Sequence, residues 1–406
     1  MPVYLLATLD TKGQEAAFVR ERLQAAGVDV RLVDTSCIGT PAVAADIPRE
    51  EVYKAGGADL VEVQKREDRG EAITCAANGA AKLVSEAHAR GEVSGVLGLG
   101  GSAGTTIGTS AMRALPLGVP KLMVSTLASG QVRQYVGDKD ILMLNSVVDI
   151  SGVNRISRLV LGNAAAAMAG MVNASPAEAA EDRPLIAASM FGVTTPCVEA
   201  ARKILEDAGY EVLVFHATGN GGMAMESLIA DGLIAGVLDI TTTELADDLV
   251  GGVLSAGPDR LTAAANAGVP QVISVGALDM VNFHAPDSMP KEFAERKIYR
   301  HNPTVTLMRT TAEENAELGR RIAAKALQST GPACVLLPLQ GVSAIDKTDQ
   351  PFDDPTARGA LYDAIRGGMT SAPANVELRE LDQHINDPEF AQAAAEALLA
   401  MIKQSA

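Results

Sequence analysis

VSGVLGLGGSAGTTIGT, residues 93–109, is the stretch from which the fold of this chain is most directly inferred. Its apolar residues Val96, Leu97 and Leu99 predict a buried strand. The glycines and hydroxyl-bearing residues that follow are typical of a loop that runs into the first turn of a helix. Parallel strands need such a helix to connect them. Together with the predicted strand, helix and strand at 3–7, 14–26 and 28–33, which form a βαβ unit, the stretch predicts an α/β domain with a mostly parallel sheet.

The same stretch predicts a site for phosphate. Glycine lets the backbone approach a ligand closely, and the free N–H groups at a helix start bind anions, with neighbouring hydroxyls as further donors. No Gly-Lys-Ser/Thr ending of a Walker A loop follows, and Gly98-x-Gly100-x-x-Ala103 is a weak match to the dinucleotide fingerprint. The alternative is a tight turn whose small residues serve close packing alone. The clustering of glycine with hydroxyls favours phosphate.

Short motifs recur in the same order in the two halves of the chain. The matching pairs are Ala26-Gly27-Val28 with Ala208-Gly209-Tyr210, Gly95-Val96-Leu97 with Gly236-Val237-Leu238, and Gly118-Val119-Pro120 with Gly268-Val269-Pro270. The repeat predicts two homologous Rossmann-like α/β domains with mostly parallel sheets. The alternative is chance similarity of short α/β signals.

The repeat and the polar segment between its copies predict the domain bounds. We expect an N-terminal domain at residues 1–176, a linker at 177–184 and a C-terminal domain at 185–406 that ends in a closing helix. The first copy opens with a predicted strand at 3–7, a loop at 8–13 and a helix from about Gln14 to Ala26. It is longer than the second copy, and the segment from Gly39 to Gly70 is the predicted insertion.

Charge and composition argue against several classes of partner. The net charge of −16 and the 3% of aromatic residues argue against nucleic acid and anionic membranes. The four cysteines lie far apart, without zinc spacing, and are expected to be free thiols. No signal peptide and no apolar run of membrane-spanning length is present, so we expect a cytoplasmic protein.

The predicted strand ends of the first domain collect hydroxyls, one lysine and carboxylates, which is the set that a nucleotide with Mg²⁺ requires. Lys12 is the expected point charge on phosphate, and Asp10 and Asp149 are the expected magnesium ligands. For Asp10 and Asp34, helix capping and turn formation are the alternative. The predicted nucleotide-binding residues are Asp10, Thr11, Lys12, Gly100, Gly101, Ser102, Gly104, Thr105, Thr106, Ser125, Thr126 and Ser129.

The strand ends of the second domain carry a different set of side chains. Histidine, glutamate, aspartate and arginine are denser there, and general acid–base catalysis needs such groups close together. A single histidine is more often structural or exposed. The predicted catalytic candidates are His216, Glu244, Asp279 and His301.

Five motifs together resemble one family. They are ATLDTKG (7–13), GLGGSAGTTIGT (98–109), VSTLASGQV (124–132), HATGNGGMAMES (216–227) and HNPTVTLMRTT (301–311). The chain resembles, over essentially its whole length, the ATP-binding domain family typified by the N-terminal half of the tomato mosaic virus resistance protein, which includes bacterial relatives. The resemblance implies a two-part α/β fold, binding of ATP with Mg²⁺, and a homodimer. Because a TIM-barrel-like half follows this domain in the plant protein, it also implies a separate TIM-barrel protein as a partner.

Three functional hypotheses follow. The first is a protein that binds Mg-ATP and uses it on a small metabolite in the cleft between the domains. The second is a nucleotide-responsive scaffold that binds a TIM-barrel partner without catalysis. The third is a hydrolase or isomerase whose catalytic residues lie in the C-terminal domain.

Overall fold

The first strand of the chain, β1 (Val3–Ala7), is buried at every position. Such continuous burial is typical of a strand in a parallel sheet that is covered on both faces. A computed structural model describes residues 1–130, 132–174 and 183–405, and the chain divides into two units, Met1–Ala179 and Ala180–Ala406. Of the predicted linker 177–184, residues 177–182 lie outside the described residues.

The first unit alternates strands and helices. The elements that follow β1 are α1 (Leu9–Ala25), β2 (Val30–Asp34), α2 (Arg49–Ala55), α3 (Leu60–Arg66), α4 (Arg69–Ala89), β3 (Gly95–Gly100), α5 (Ser102–Arg113), β4 (Lys121–Ser125), α6 (Arg133–Val136), β5 (Leu142–Asn145) and α7 (Arg155–Asn173). Its strands form a parallel sheet of order β2-β1-β3-β4-β5.

Helices cover both faces of this sheet. Along β1, Val3 and Leu5 pack into a cluster with α1 and α7, whereas Tyr4 and Leu6 pack into a second cluster with α2, α4 and α5. This alternation follows from the strand geometry, because successive side chains point to opposite faces. Both faces of the sheet are therefore shielded from solvent, and polar side chains lie at the strand ends.

Helix α1 begins earlier than the sequence predicts. The expected loop 8–13 is wrong, because the helix starts at Leu9 and bends at Lys12, whose φ of −121° and ψ of 17° are not helical. Asp34, at the end of β2, accepts a hydrogen bond from the N–H of Leu9 at 3.1 Å. A carboxylate from a neighbouring strand thus stabilises the helix start, and this long-range cap is not visible in the local sequence.

The second unit contains two sheets. Its elements are β6 (Leu185–Met190), α8 (Thr195–Asp207), β7 (Glu211–His216), α9 (Asn220–Ala230), β8 (Ile234–Thr241), α10 (Glu244–Val250), α11 (Ala263–Ala267), β9 (Gln271–Gly276), β10 (Met280–Phe283), β11 (Ile298–Asn302), β12 (Val305–Arg309), α12 (Ala312–Ala326), β13 (Ala333–Pro338), α13 (Pro355–Gly368), β14 (Val376–Leu381) and α14 (Pro388–Ser405). The parallel sheet has the order β14-β13-β9-β8-β6-β7, and the antiparallel sheet has the order β10-β12-β11.

The two parallel sheets share one strand order. The order β2-β1-β3-β4-β5 in the first unit corresponds to β7-β6-β8-β9-β13 in the second, to which β14 adds an edge strand. Helices flank both sheets, and α14 closes the second unit by packing on α8 and β8. The predicted fold class is confirmed: the chain is an α/β protein with two mostly parallel, Rossmann-like sheets. No helix among the described residues is both long and apolar enough to span a bilayer.

Candidate functional site

A cavity of about 750 Å³ lies in the first unit, at the carboxyl ends of β1, β2 and β3. This is the edge at which parallel α/β sheets bind ligands. Thr8 and Asp10 follow β1, and Thr35 and Ser36 follow β2. Residues 100–104 run from the end of β3 into α5, and all of these residues line the cavity.

The start of α5 forms one wall of this cavity. Gly101 is the N-cap residue, and no side chain caps this helix end. The N–H of Thr105 makes the first helical hydrogen bond, to the carbonyl of Gly101 at 2.8 Å. The N–H groups of Ser102, Ala103 and Gly104 come before it and have no acceptor within the helix. Because these three residues line the cavity, their free donors and the positive end of the helix dipole are available to an anion there.

The glycines of this turn serve two different purposes. A Cβ on Gly100 would lie 2.7 Å from the Cα of Gly104, and a Cβ on Gly104 would lie 2.8 Å from the carbonyl oxygen of Leu99. Close packing of β3 against α5 therefore requires glycine at both positions. A Cβ on Gly101 would meet only the hydroxyl oxygen of Thr126, at 3.7 Å. The packing explanation thus accounts for Gly100 and Gly104, whereas Gly101 leaves room on the cavity side.

The start of α1 brings a lysine and a carboxylate to the same cavity. One carboxylate oxygen of Asp10, Oδ1, is buried and has no hydrogen-bond partner among the described residues. Burial is the main reason that the pKa of Asp10 is raised, and the neighbouring Asp34 carboxylate raises it further. The ammonium group of Lys12 donates to the carbonyl of Ile150, which leaves two of its three donors for other acceptors.

The predicted nucleotide-binding residues divide into two groups. Asp10, Thr11, Lys12, Gly100, Gly101, Ser102 and Gly104 line the cavity, as does the exposed Asp149. The other five do not line it. The hydroxyls of Thr105 and Ser125 are buried and bond to each other at 2.6 Å, and Thr106 donates to the carbonyl of Ser102 at 3.0 Å. Thr126 lies beside Gly101, and Ser129 is exposed.

The carboxylates form no complete metal cage. Within the described residues, no group of three or more His, Cys, Asp or Glu side chains could hold a metal ion. Asp10 and Asp149 nevertheless line the same cavity. Mg²⁺ is commonly held by one or two carboxylates together with phosphate oxygens and waters, so the predicted magnesium ligands stay a prediction.

Sequence reasoning missed the opposite wall of the cavity. This wall comes from the predicted insertion and the elements next to it, and its residues are Cys37, Ile38, Tyr53, Val63, Gln64, Glu67, Asp68, Arg69, Ala72 and Ile73. The insertion itself was the available signal, because a segment present in only one copy of a repeat often carries function. Its contact with the cavity depends on how α3 and α4 fold back over the sheet.

The predicted catalytic residues of the second unit lie in different surroundings. His216 ends β7 and stacks on Phe191 with ring centroids 5.3 Å apart. His301 is exposed on β11. Asp279 is fully buried, accepts a hydrogen bond from the Ser343 hydroxyl at 2.9 Å, and has a pKa raised to about 7 by burial and by repulsion from Asp346.

Glu244 belongs to a buried ion-pair network around Arg260. The Arg260 guanidinium donates to Glu244 at 2.6 Å and to both carboxylate oxygens of Asp239, at 2.5 and 2.6 Å. The other oxygen of Glu244 accepts from the N–H groups of Gly219 and Gly222, at 2.7 and 3.1 Å. Burial raises the pKa of Glu244 despite the neighbouring arginine. The carboxylate of Glu244 therefore occupies the glycine-rich start of α9.

Comparison with known proteins gives matches over both units. Residues 1–177 match the model "Uncharacterised protein family (UPF0261) N-terminal domain", and residues 183–402 match the C-terminal domain of the same family. A UPF0261 protein of Clostridium tetani is 47% identical and is aligned over 99% of both chains. A UPF0261 protein of Rhizobium meliloti is 48% identical over 97% of this chain and 98% of its own.

A plant protein is also similar to the whole chain. The ToMV resistance protein Tm-1(GCR237) of Solanum lycopersicum is 41% identical over 99% of this chain, which spans only 56% of the tomato protein. The predicted relationship to this protein and to bacterial relatives is thereby confirmed. The chain belongs to the UPF0261 family.

Proposed function

We propose that the first unit of this UPF0261 protein binds Mg-ATP in the cavity at the start of α5. The observation that carries the proposal is the uncapped helix start at Gly101, which lines a cavity large enough for a nucleotide. Three free N–H groups and the Ser102 hydroxyl are the donors that phosphate oxygens accept from.

Two cationic side chains, Lys12 and Arg69, line the cavity, but the chain as a whole is strongly acidic, at −16. Bare ATP would therefore meet repulsion, and a magnesium ion bound with it would neutralise part of the phosphate charge. Asp10 and Asp149 would hold the ion, and the unpartnered Oδ1 of Asp10 fits this role because a buried carboxylate oxygen without a donor is costly. The choice of ATP among phosphorylated ligands rests on the family resemblance.

Isothermal titration with ATP, with and without Mg²⁺, tests the proposal. The discriminating variant is Gly101→Val, because the fold has room for a side chain there and the new methyl groups would occupy space beside the free N–H groups. Gly170→Val is the matched control, since Gly170 is exposed on α7 and a Cβ there would meet nothing within 4 Å. We expect magnesium-dependent binding that Gly101→Val abolishes and Gly170→Val preserves. No binding at millimolar ATP would refute the proposal.

The use that the protein makes of ATP is a separate proposal. Turnover of ATP with a small metabolite would indicate an enzyme, whereas intact ATP together with retention of a TIM-barrel protein would indicate a scaffold. Catalysis in the second unit would show as activity that depends on His216 or His301 while ATP binding is unchanged. The family resemblance also supports a homodimer, which light scattering after gel filtration would detect as twice the chain mass of 42.0 kDa.

A further inference from the structure

The cavity of the first unit has a wall that the second unit lacks. Between β2 and β3 the chain forms α2, α3 and α4, whereas the second unit joins β7 to β8 through α9 alone. The α3–α4 junction, residues 64–69, contributes Gln64, Glu67, Asp68 and Arg69 to the cavity lining. The helix start that would bind phosphate belongs to α5, so the junction is available to contact another part of the ligand.

Gln64 lines this cavity, and one contact sets the orientation of its side-chain amide. Its side-chain Nε2 donates to the carbonyl of Cys37 at 2.5 Å. Because only the NH₂ end of the amide can donate to a carbonyl, this contact fixes the orientation of the group. One N–H of Nε2 is used in this contact, and Oε1, which can only accept, is left to match a ligand that carries an N–H donor.

Glu67 presents a second acceptor from a strained backbone. It ends α3 in the left-handed region, with φ of 53° and ψ of 19°. A residue with a side chain costs energy in this conformation, and glycine would be the unstrained choice. The neighbouring Asp68 is already used by the fold, since its carboxylate accepts from the N–H of Glu71 at 3.0 Å and caps α4. The exposed Glu67 carboxylate has no such role at a helix end.

Apolar side chains lie next to these acceptors. Ile38 lines the cavity with 69% of its surface exposed, and Ile73 and the buried Val63 belong to the same lining. A large exposed aliphatic side chain inside a cavity gains from a flat apolar group that covers it. The wall therefore offers acceptors and apolar surface together.

We propose that the α3–α4 junction makes the site selective for a ribonucleotide whose base carries an exocyclic amino group. Oε1 of Gln64 accepts from the amino group, the carboxylate of Glu67 accepts from a ribose hydroxyl, and Ile38 packs on the base. This inference rests on the proposed binding of a nucleotide at α5, and it adds which residues read the base and the sugar.

Three nucleotides separate these contributions. ATP, inosine triphosphate and 2′-deoxy-ATP share the triphosphate, but inosine replaces the amino group by a carbonyl and deoxyribose lacks one hydroxyl. Isothermal titration with Mg²⁺ should give ATP an affinity about tenfold above each analogue, because an acceptor left without its donor costs on the order of tenfold. The analogues should bind through their phosphates.

Two variants assign the selectivity to residues. Gln64→Met keeps the size of the side chain and should remove the preference for ATP over inosine triphosphate. It should leave the preference for ATP over 2′-deoxy-ATP unchanged. Glu67→Gly suits the left-handed conformation, should leave thermal stability equal or higher, and should remove the preference for ATP over 2′-deoxy-ATP. Glu62→Gln is the control, since Glu62 is exposed on α3, pairs with Lys65 at 2.7 Å and does not line the cavity.

The outcomes distinguish a failure of this inference from a failure of the proposed binding of Mg-ATP. Equal affinity for the three nucleotides, or selectivity that survives both variants, overturns the junction's role while ATP binding and its loss in Gly101→Val still stand. A wild-type protein that binds none of the three nucleotides overturns the proposed function itself.

Discussion

The backbones of Gly100 and Gly104 lie so close together that a Cβ on Gly100 would be only 2.7 Å from the Cα of Gly104. This contact sets the distance between β3 and α5 and hence the position of the free N–H groups at the helix start. Stability and ligand binding can therefore be separated at neighbouring glycines.

Gly104→Ala should lower the free energy of unfolding by about 1 to 3 kcal/mol, because the added Cβ meets the backbone carbonyl of Leu99, which has no room to move. Urea unfolding followed by circular dichroism measures the change. Gly101→Ser is the control: serine is a good N-cap residue and its Cβ has room, so the change should stay within about 0.5 kcal/mol. Equal losses in both variants would contradict the division of roles between these glycines.

Arg260→Leu should destabilise the second unit by about 3 to 5 kcal/mol, because it leaves the buried carboxylates of Asp239 and Glu244 without their cation. Arg260→Lys should rescue little of this, since the compact ammonium group cannot reproduce the paired contacts of the guanidinium to Asp239 together with its contact to Glu244. The same urea titration measures both. In the control Arg202→Ala, the lost partner is the half-exposed Glu206, and the cost should be under about 0.5 kcal/mol. A small loss in Arg260→Leu would mean that the network adds nothing to stability.

The stability of the second unit should fall as the pH rises from about 4 to about 7. In the folded chain the pKa of Asp279 is raised to about 7, first by burial and then by Asp346, whereas a free aspartate has a pKa of about 3.9. Between these values the folded chain keeps a proton that the unfolded chain has released, so each unit of pH lowers the free energy of unfolding by up to about 1.4 kcal/mol.

Asp279→Asn should therefore unfold at higher urea than the wild type at pH 8 and show a weaker pH dependence. Part of the dependence should remain, because burial also raises the pKa of Asp247 to about 7. Glu199→Gln, on the exposed face of α8, should keep the wild-type slope. An unchanged slope in Asp279→Asn would show that Asp279 does not hold this proton.

Thiol labelling can report whether the cavity is filled. Cys37 lines the cavity and is half-buried, so Mg-ATP should slow its reaction with a thiol reagent severalfold. Cys75 is also half-buried but does not line the cavity, and its rate should not change. Cys197 and Cys334 should react slowest, because burial raises their pKa values to about 12 and about 11 and the thiolate is the reactive form. Mass spectrometry of the labelled peptides gives the four rates. No protection of Cys37 by a ligand that demonstrably binds would place that ligand elsewhere.

Several elements could be predicted from local sequence because their signals lie within one or two turns of chain. The strand at residues 3–7, the glycine-rich turn after β3 and the closing helix α14 all appear where pattern and composition place them. The predicted start of α1 was wrong because the carboxylate that stabilises the observed start belongs to Asp34, which lies 25 residues beyond Leu9 in the chain. Thr105 and Ser125 have the right chemistry for phosphate, but their hydroxyls bond to each other in the interior.

The sequence by itself determined the α/β class, the two-fold repetition and the glycine turn, because periodicity, turn residues and short motifs are local properties. Only the tertiary structure decided that Asp10, Gly101 and Gln64 line one cavity, since strand order brings together residues that lie far apart in the chain. It likewise decided that Glu244 faces the backbone N–H groups of Gly219 and Gly222. A carboxylate looks the same in a sequence whether it faces solvent, a ligand or an arginine, and burial and partners distinguish these cases only after the chain has folded.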